Sequence, residues 1–265
     1  MERRVKGIHQ AHRGAGFLEA ENTLAAMELG WSWGLAPEID ISTTRDGAIV
    51  GFHDKKLARV VRNLPKHFAK ACVHDLDFAD LAALDVGLPA GQPRSIPLIA
   101  DVLARLRELP DARLYLDIKQ VSFPELAKLV QEHGVADRII FATNRDPWLA
   151  EWRALQPHGE TLRWVWFDAT PGKLAVTQAE LAKLRAAGFP SITQLQLHLM
   201  PIQGVMLPAA SEVQDLASEL AQRGILFQAF PHSDDPAVYR HLRTIGVPSF
   251  ATDYPHQLLA VLNEA

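Results

Sequence analysis

Pro37-Glu38-Ile39-Asp40-Ile41 sets two acids and two isoleucines in strict alternation. Successive side chains of a strand point to opposite faces, so Glu38 and Asp40 share one face and Ile39 and Ile41 the other. A parallel-barrel strand is apolar toward the helices that cover it, and its inner side turns polar near the carboxyl end, where active sites of that fold gather. Leu114-Tyr115-Leu116-Asp117-Ile118-Lys119 repeats the arrangement, with Tyr115, Asp117 and Lys119 on one side and aliphatic residues on the other. Both stretches read as strands of one parallel barrel with their acids facing inward.

Outward from these two strands, short apolar runs alternate with segments of helical period along the whole chain, as repeated strand–helix units require. Strands are predicted near 6–11, 36–41, 113–118, 138–142, 163–167, 193–198, 225–229 and 248–251. Helices are predicted near 22–33, 96–108, 123–133, 146–155, 178–187, 210–223, 235–245 and 256–263. The fold class is therefore α/β, a (β/α)8 TIM barrel, with an insertion after the second strand. Thr43-Thr44-Arg45-Asp46-Gly47 reads as a hairpin turn, because Asp-Gly favours positive φ, and Ala48-Ile49-Val50-Gly51-Phe52 reads as its second arm. From about 54 to 94 the chain, punctuated by Pro65, Pro89, Pro93, Gly87 and Gly91, reads as an excursion within a single barrel domain over 1–265. Ser95 is the expected cap of the helix that follows.

Length and composition agree with this class. A chain of 265 residues, 48% hydrophobic and 22% charged, suits one barrel of about 250 residues. A formal charge of −4 lacks the basic excess of a nucleic-acid partner, so none is expected. The only cysteine, Cys72, has no disulfide partner within the chain, and the first residues show no apolar leader, so a cytoplasmic location is expected. No run approaches the roughly 18 apolar residues of a transmembrane segment. Lys55, Lys56, Arg59, Arg62, Lys66 and Lys70 form a basic stretch without an acid, which reads first as a solvated positive face and, where it overhangs the mouth of a site, as a field that attracts anionic substrates or makes peripheral contact with an anionic membrane.

The inward residues define a chemistry. Three carboxylates, Glu38, Asp40 and Asp117, repel one another in a low-dielectric cavity unless a cation sits among them. Oxygen-only ligation suits one hard divalent ion, Mg2+ or Ca2+. His12-Arg13-Gly14 ends the first strand and His53-Asp54 follows the hairpin arm. Two imidazoles divide acid and base work near neutral pH, while Arg13 and Lys119 supply the fixed positive charge that a phosphoryl group needs. Asp54 either orients His53 or caps the turn after it, Asp253 reads as the cap of the last helix, and the other histidines apart from His198, His9 and His232 among them, read as packing or surface residues. Thr193-Gln194-Leu195-Gln196-Leu197-His198 alternates like a pocket-lining strand, which makes Gln196 and His198 candidates for the substrate pocket.

His12-Arg13-Gly14, Glu21-Asn22-Thr23-Leu24-Ala25-Ala26, Glu38-Ile39-Asp40, Thr44-Arg45-Asp46-Gly47, His53-Asp54 and Leu57-Ala58-Arg59 resemble, in order and spacing, the amino-terminal signature of the glycerophosphodiester phosphodiesterase family. Ile96-Pro97-Leu98-Ile99 is similar to that family's return from its insertion, Asp117-Ile118-Lys119 to its third-strand motif, and Thr252-Asp253-Tyr254-Pro255 to its closing strand. The resemblance implies a phosphoric diester hydrolase acting on a small-molecule glycerophosphodiester, to give glycerol phosphate and an alcohol through a cyclic phosphate. It implies metal ligation by Glu38, Asp40 and Asp117, acid–base roles for His12 and His53, and phosphate binding by Arg13 and Lys119. Asp117 departs from the family's usual Glu by one methylene, Ala20 from its usual Pro, and Gln228-Ala229-Phe230-Pro231 from its usual Trp-Thr, which adds Gln228 and Phe230 to the expected alcohol-side pocket. Cleavage of a lipid phosphodiester, in the manner of a lysophospholipase D or a sphingomyelinase D, is the alternative within the same chemistry. A non-catalytic binding barrel is the alternative outside it.

Overall fold

The structure is a computed structural model and describes residues 8–167, 173–199 and 209–264. Its element order is that of a (β/α)8 barrel: eight barrel strands, each followed by a helix, with one further strand as a hairpin arm. The chain divides into two compact units, one built from residues 11–142 and 151–159, the other from 8–10, 143–150 and 160–264.

The first unit opens after β1 (Gln10–Ala11), where the chain turns through Arg13 and Gly14 at positive φ. α1 (Leu24–Ser32) follows, capped by Thr23, whose hydroxyl accepts from the Ala26 N–H at 3.2 Å. The contact between turn and helix demands glycine at both points. A Cβ on Gly14 would lie 2.6 Å from the Ala26 Cβ, and one on Gly30 would lie 2.3 Å from the Gly14 carbonyl oxygen.

β2 (Ala36–Thr43) is the predicted second strand, and β3 (Ile49–Gly51) returns antiparallel to it. The turn closes through the Gly47 N–H on the Thr44 carbonyl at 3.1 Å, with Gly47 at φ +86° as Asp-Gly requires. The excursion then builds a small core of its own around Phe52, Leu57, Val73, Leu76, Leu81 and Ile96, under short 3-10 turns and α2 (Phe78–Ala82). Arg45 and Asp46 of the hairpin turn tie it down, Arg45 by paired bonds of 2.8 and 2.7 Å to Asp77 and Asp46 by accepting from the Phe78 N–H.

α3 (Ile99–Arg107) starts three residues later than its apolar pattern predicts. Pro97 restricts the residue before it to extended backbone, and the chain there runs as a strand-like segment instead: the Gly51 N–H donates to the Pro97 carbonyl and Leu98 bridges Val50. Ser95 is exposed and caps nothing, since the cap position falls on Leu98. β4 (Leu114–Gln120) lies parallel to β2, followed by α4 (Phe123–Glu132) and β5 (Ile139–Thr143), which is parallel to β4. α5 (Asp146–Leu155) comes next, as predicted.

The second unit is a run of parallel strands, β6 (Glu160–Phe167), β7 (Gln194–Leu199), β8 (Leu226–Phe230) and β9 (Ser249–Thr252). α6 (Lys173–Ala186), α7 (Ala210–Gln222), α8 (Pro236–Thr244) and α9 (Pro255–Leu262) follow these strands in turn. α6 begins five residues before its predicted start, because Lys173-Leu174-Ala175-Val176-Thr177 shows no apolar stripe; Val176 stays 66% exposed. Residues 6 and 7 of the first predicted strand lie outside the described residues.

Candidate active site

β2 and β4 carry the centre. Their parallel register sets Asp40 opposite Asp117 and Glu38 opposite Tyr115, so the alternation read in each strand adds into one face. One oxygen from each of Glu38, Asp40 and Asp117 lies within 4.8 Å of the others. Glu38 and Asp40 are almost fully buried. Burial, reinforced by the neighbouring Asp40 and Asp117, pushes the Glu38 carboxyl well above its ordinary pKa. Burial and Asp40 likewise raise Asp117. Burial also penalises the Asp40 charge, but Lys119, His53, Arg13 and His12 outweigh it and hold Asp40 below the usual carboxylate range.

A cation placed among the three acids would relieve that repulsion. Glu38 Oε1 is buried with no hydrogen-bond partner, while its Oε2 accepts from the Arg13 N–H at 2.7 Å. Three hard oxygen donors, one of them unpartnered and two destabilised as anions, fit a metal ion.

Two cations flank the acids. Lys119 Nζ lies 2.9 Å from Asp40 Oδ1 and 3.1 Å from Asp117 Oδ2, two residues along the same face of β4. Arg13 is held at φ +51°, a sparsely populated conformation for a side-chain-bearing residue, and its Nε lies 3.5 Å from Asp40 Oδ2. The turn aims its backbone N–H at Glu38 and its guanidinium at Asp40 and Glu21, at 3.5 and 3.1 Å. His12, at the end of β1, acts electrostatically on both Asp40 and Asp117. His53 follows β3, is anchored by the Phe52 N–H on the Asp40 carbonyl, and shares a pocket with Lys119, Thr43 and Gln120. Its Nδ1 lies 2.6 Å from Asp54 Oδ1. Of the two roles read for Asp54, orienting His53 is the one the geometry takes.

The structure thus brings all seven expected residues, His12, Arg13, Glu38, Asp40, His53, Asp117 and Lys119, into one unit. It adds Asn22, which residue-by-residue reading did not single out. Asn22 sits at φ +57°, and its amide makes two bonds to Asp40, one to the carboxylate and one from the backbone. Its place in Glu21-Asn22-Thr23 just before α1, where Asn tolerates left-handed backbone, was the available signal.

The pocket candidates of the second unit fall into two groups. Gln196 and Gln228 are 2% and 0% exposed and bond to each other, with Gln196 also donating to Gln10 at 2.9 Å and Gln228 to Ser249 at 3.0 Å. They form an interior amide layer rather than an open wall, because a buried amide away from water must find partners. His198 and Phe230 belong instead to an aromatic cluster with Trp164, Trp166 and His232, in which Phe230 and His232 stack at 3.7 Å. His232, read from sequence as a packing or surface residue, lies 3.1 Å from His198 Nδ1 and 3.5 Å from Asp253. Asp253 does not cap the last helix: the cap position is Tyr254, whose N–H is taken by the Thr252 hydroxyl.

The family model that matches this chain is described as the glycerophosphoryl diester phosphodiesterase family, and the match covers residues 12–257. A curated glycerophosphodiester phosphodiesterase from Caldanaerobacter subterraneus subsp. tengcongensis is 27% identical over 58% of this chain, and the match spans 65% of that relative, just under two thirds of its length. An Oleispira antarctica phosphodiesterase solved in complex with the product sn-glycerol-3-phosphate superposes with a TM-score of 0.73 at 22% identity, covering 96% of each chain. A glycerophosphodiester phosphodiesterase structure from Agrobacterium tumefaciens gives 0.71 at 20% identity, covering 96% of this chain and 100% of that one. At such identities the superpositions establish the fold, while the family match embraces every residue of the acidic centre and its flanking cations. The chain belongs to the glycerophosphoryl diester phosphodiesterase family.

Proposed function

We propose that the chain hydrolyses a glycerophosphodiester to glycerol phosphate and an alcohol, with one divalent ion, Mg2+ or Ca2+, held by Glu38, Asp40 and Asp117. The observation that carries this reading is the convergence of those three carboxylates within 4.8 Å, with Arg13 and Lys119 beside them. It is supported by the family match and by the product named in the Oleispira structure. Bound there, a hard cation would make a nearby hydroxyl more acidic and neutralise charge that develops on oxygen.

The remaining work belongs to the side chains. Arg13 and Lys119 hold the non-bridging phosphoryl oxygens, the Lys119 ammonium being kept protonated by Asp40 and Asp117 against the opposing effect of burial. His53, its Nδ1–H donating to the Asp54 carboxylate, turns Nε2 to the substrate as a proton acceptor and takes a proton from the glycerol hydroxyl adjacent to the phosphate. That oxygen bonds to phosphorus as the bond to the leaving alcohol breaks, and His12 donates the proton that the alcohol oxygen acquires. Water then opens the cyclic phosphate, with the two imidazoles in reversed roles.

The test is a panel of glycerophosphodiesters and lysophospholipids assayed with and without chelator, the products read by phosphorus NMR. Glycerol phosphate formed only when the divalent ion is present is the expected result. Turnover of lysophospholipids alone would move the assignment to lipid phosphodiesters, and cleavage of nothing in the panel would end it.

A further inference from the structure

Arg59 lies in the first turn of the excursion, Leu57–Arg59, six residues past His53. Its Nη1 and Nη2 donate to the two oxygens of Glu21 at 2.7 and 2.6 Å, a bidentate pair. Its Nε donates to Asp54 Oδ2 at 2.5 Å. Each acid it grips faces a site residue on the other side: Asp54 holds His53 Nδ1 through Oδ1 at 2.6 Å, and Glu21 accepts from Arg13 Nη1 at 3.1 Å. A single guanidinium therefore stands behind both His53 and Arg13.

The arrangement exceeds what a surface ion pair supplies. Such pairs contribute little, and one carboxylate satisfies them. Here a planar fork fixes two carboxylates relative to each other, which an ammonium on a flexible stem cannot do. Burial raises both acids, but Arg59 and Arg13 at Glu21, and Arg59 and His53 at Asp54, outweigh it and keep each ionised. Ionised Asp54 is an acceptor only, so the neutral imidazole facing it must carry its proton on Nδ1.

We propose that Arg59 is a positioning residue for the phosphodiester reaction: through Asp54 it locks His53 in the Nδ1–H tautomer, and through Glu21 it holds Arg13 in its strained turn. This rests on the reading of His53 as the proton-exchanging group. Without Arg59, Asp54 is free to rotate, and His53 populates the Nε2–H tautomer, which accepts no proton at that atom.

The experiment uses the full chain with histidine nitrogen labelled, the His53 resonance being identified as the one missing from His53→Ala. Nitrogen NMR reads the tautomer in wild type, Arg59→Met and Arg59→Lys, and kcat/KM is followed against pH in each. Both variants are expected to lose Nδ1–H dominance at His53 and about 10-fold or more in kcat/KM, Lys included because charge alone does not replace the fork. Arg59→Ala is expected to regain activity with millimolar guanidinium ion, which a folding defect would not allow. Adding Arg59→Met to His53→Ala is expected to cost less than about 2-fold further, since residues acting as a unit are not additive. Wild-type tautomer and pH profile in Arg59→Met overturn the proposal whatever the melting temperature, as do losses that multiply in the double variant. If His53→Ala turns over normally, the acid–base reading falls, while the tautomer measurement still decides whether Arg59 holds His53.

Discussion

Asn22 and Asp40 are joined by two reciprocal hydrogen bonds: the Asn22 amide donates to Asp40 Oδ2 at 2.9 Å, and the Asp40 backbone N–H donates to Asn22 Oδ1 at 2.8 Å. Both residues are buried, so Asn22→Ala leaves a backbone donor without water or partner, at about 1–3 kcal/mol. Asn22→Asp sets a fourth carboxylate against the acidic centre and is expected to lose more activity than Asn22→Ala. Thermal unfolding and turnover of the two variants check the order; equal effects from both would remove the electrostatic part of the argument.

Metal removal has a readout independent of turnover. Saturation with a divalent ion stabilises the folded state by mass action, about 2.7 kcal/mol at a hundredfold excess over Kd. Glu38→Gln removes a ligand and also a carboxyl whose ionisation burial, Asp40 and Asp117 all oppose, so its metal-free form is expected to melt above metal-free wild type and to respond little to added ion. A wild-type melting temperature unchanged between chelator and millimolar Mg2+ or Ca2+ contradicts ligation at this centre.

His12→Ala and His53→Ala are each expected to lower turnover by at least about 100-fold while the metal response of the melting temperature persists. Near-normal rates in either variant remove that histidine from proton transfer.

Gly14→Ala tests the turn that aims Arg13. At φ +102°, with Ala26 and Met27 atoms 2.6 Å from the position of a Cβ, the added methyl meets both strain and overlap. A loss of about 2 kcal/mol or more is expected in chemical denaturation, together with weakened phosphate binding as Arg13 shifts. A variant as stable as wild type would show that α1 yields more readily than its packing implies.

His9 gives stability a pH dependence. Burial, with Arg243 nearby, lowers its pKa from 6.5 to about 4, and its ring stacks on Phe250. Above pH 6.5 the imidazole is neutral in both states; between 6.5 and about 4 the unfolded chain binds a proton that the folded chain refuses, so stability falls as pH falls through that window. The full effect is at most about 3 kcal/mol. His9→Gln should flatten this limb relative to wild type in denaturation series between pH 7 and 4.5, and parallel curves for the two proteins would refute the assignment.

The alternation of Glu38-Ile39-Asp40-Ile41 and of Leu116-Asp117-Ile118-Lys119 sufficed, by itself, to place the acids and the lysine on the inner face, because side-chain direction along a strand is a local property of period two. The (β/α)8 class was legible for the same reason, as was the Asp-Gly hairpin at Gly47. Failures came where a distant partner overrides the local pattern: Ser95 yields the cap position because Pro97 and Leu98 pair with the hairpin arm, and Asp253 turns to His232. The Gln196–Gln228 layer, the bonds of Asn22 to Asp40 and the grip of Arg59 on Glu21 and Asp54 join residues between 5 and 38 positions apart in the chain. The sequence determined which groups face inward and what chemistry they share; only the tertiary structure decided which partner each one meets, since a hydrogen bond requires two atoms within about 3 Å and no periodicity of the chain specifies that distance.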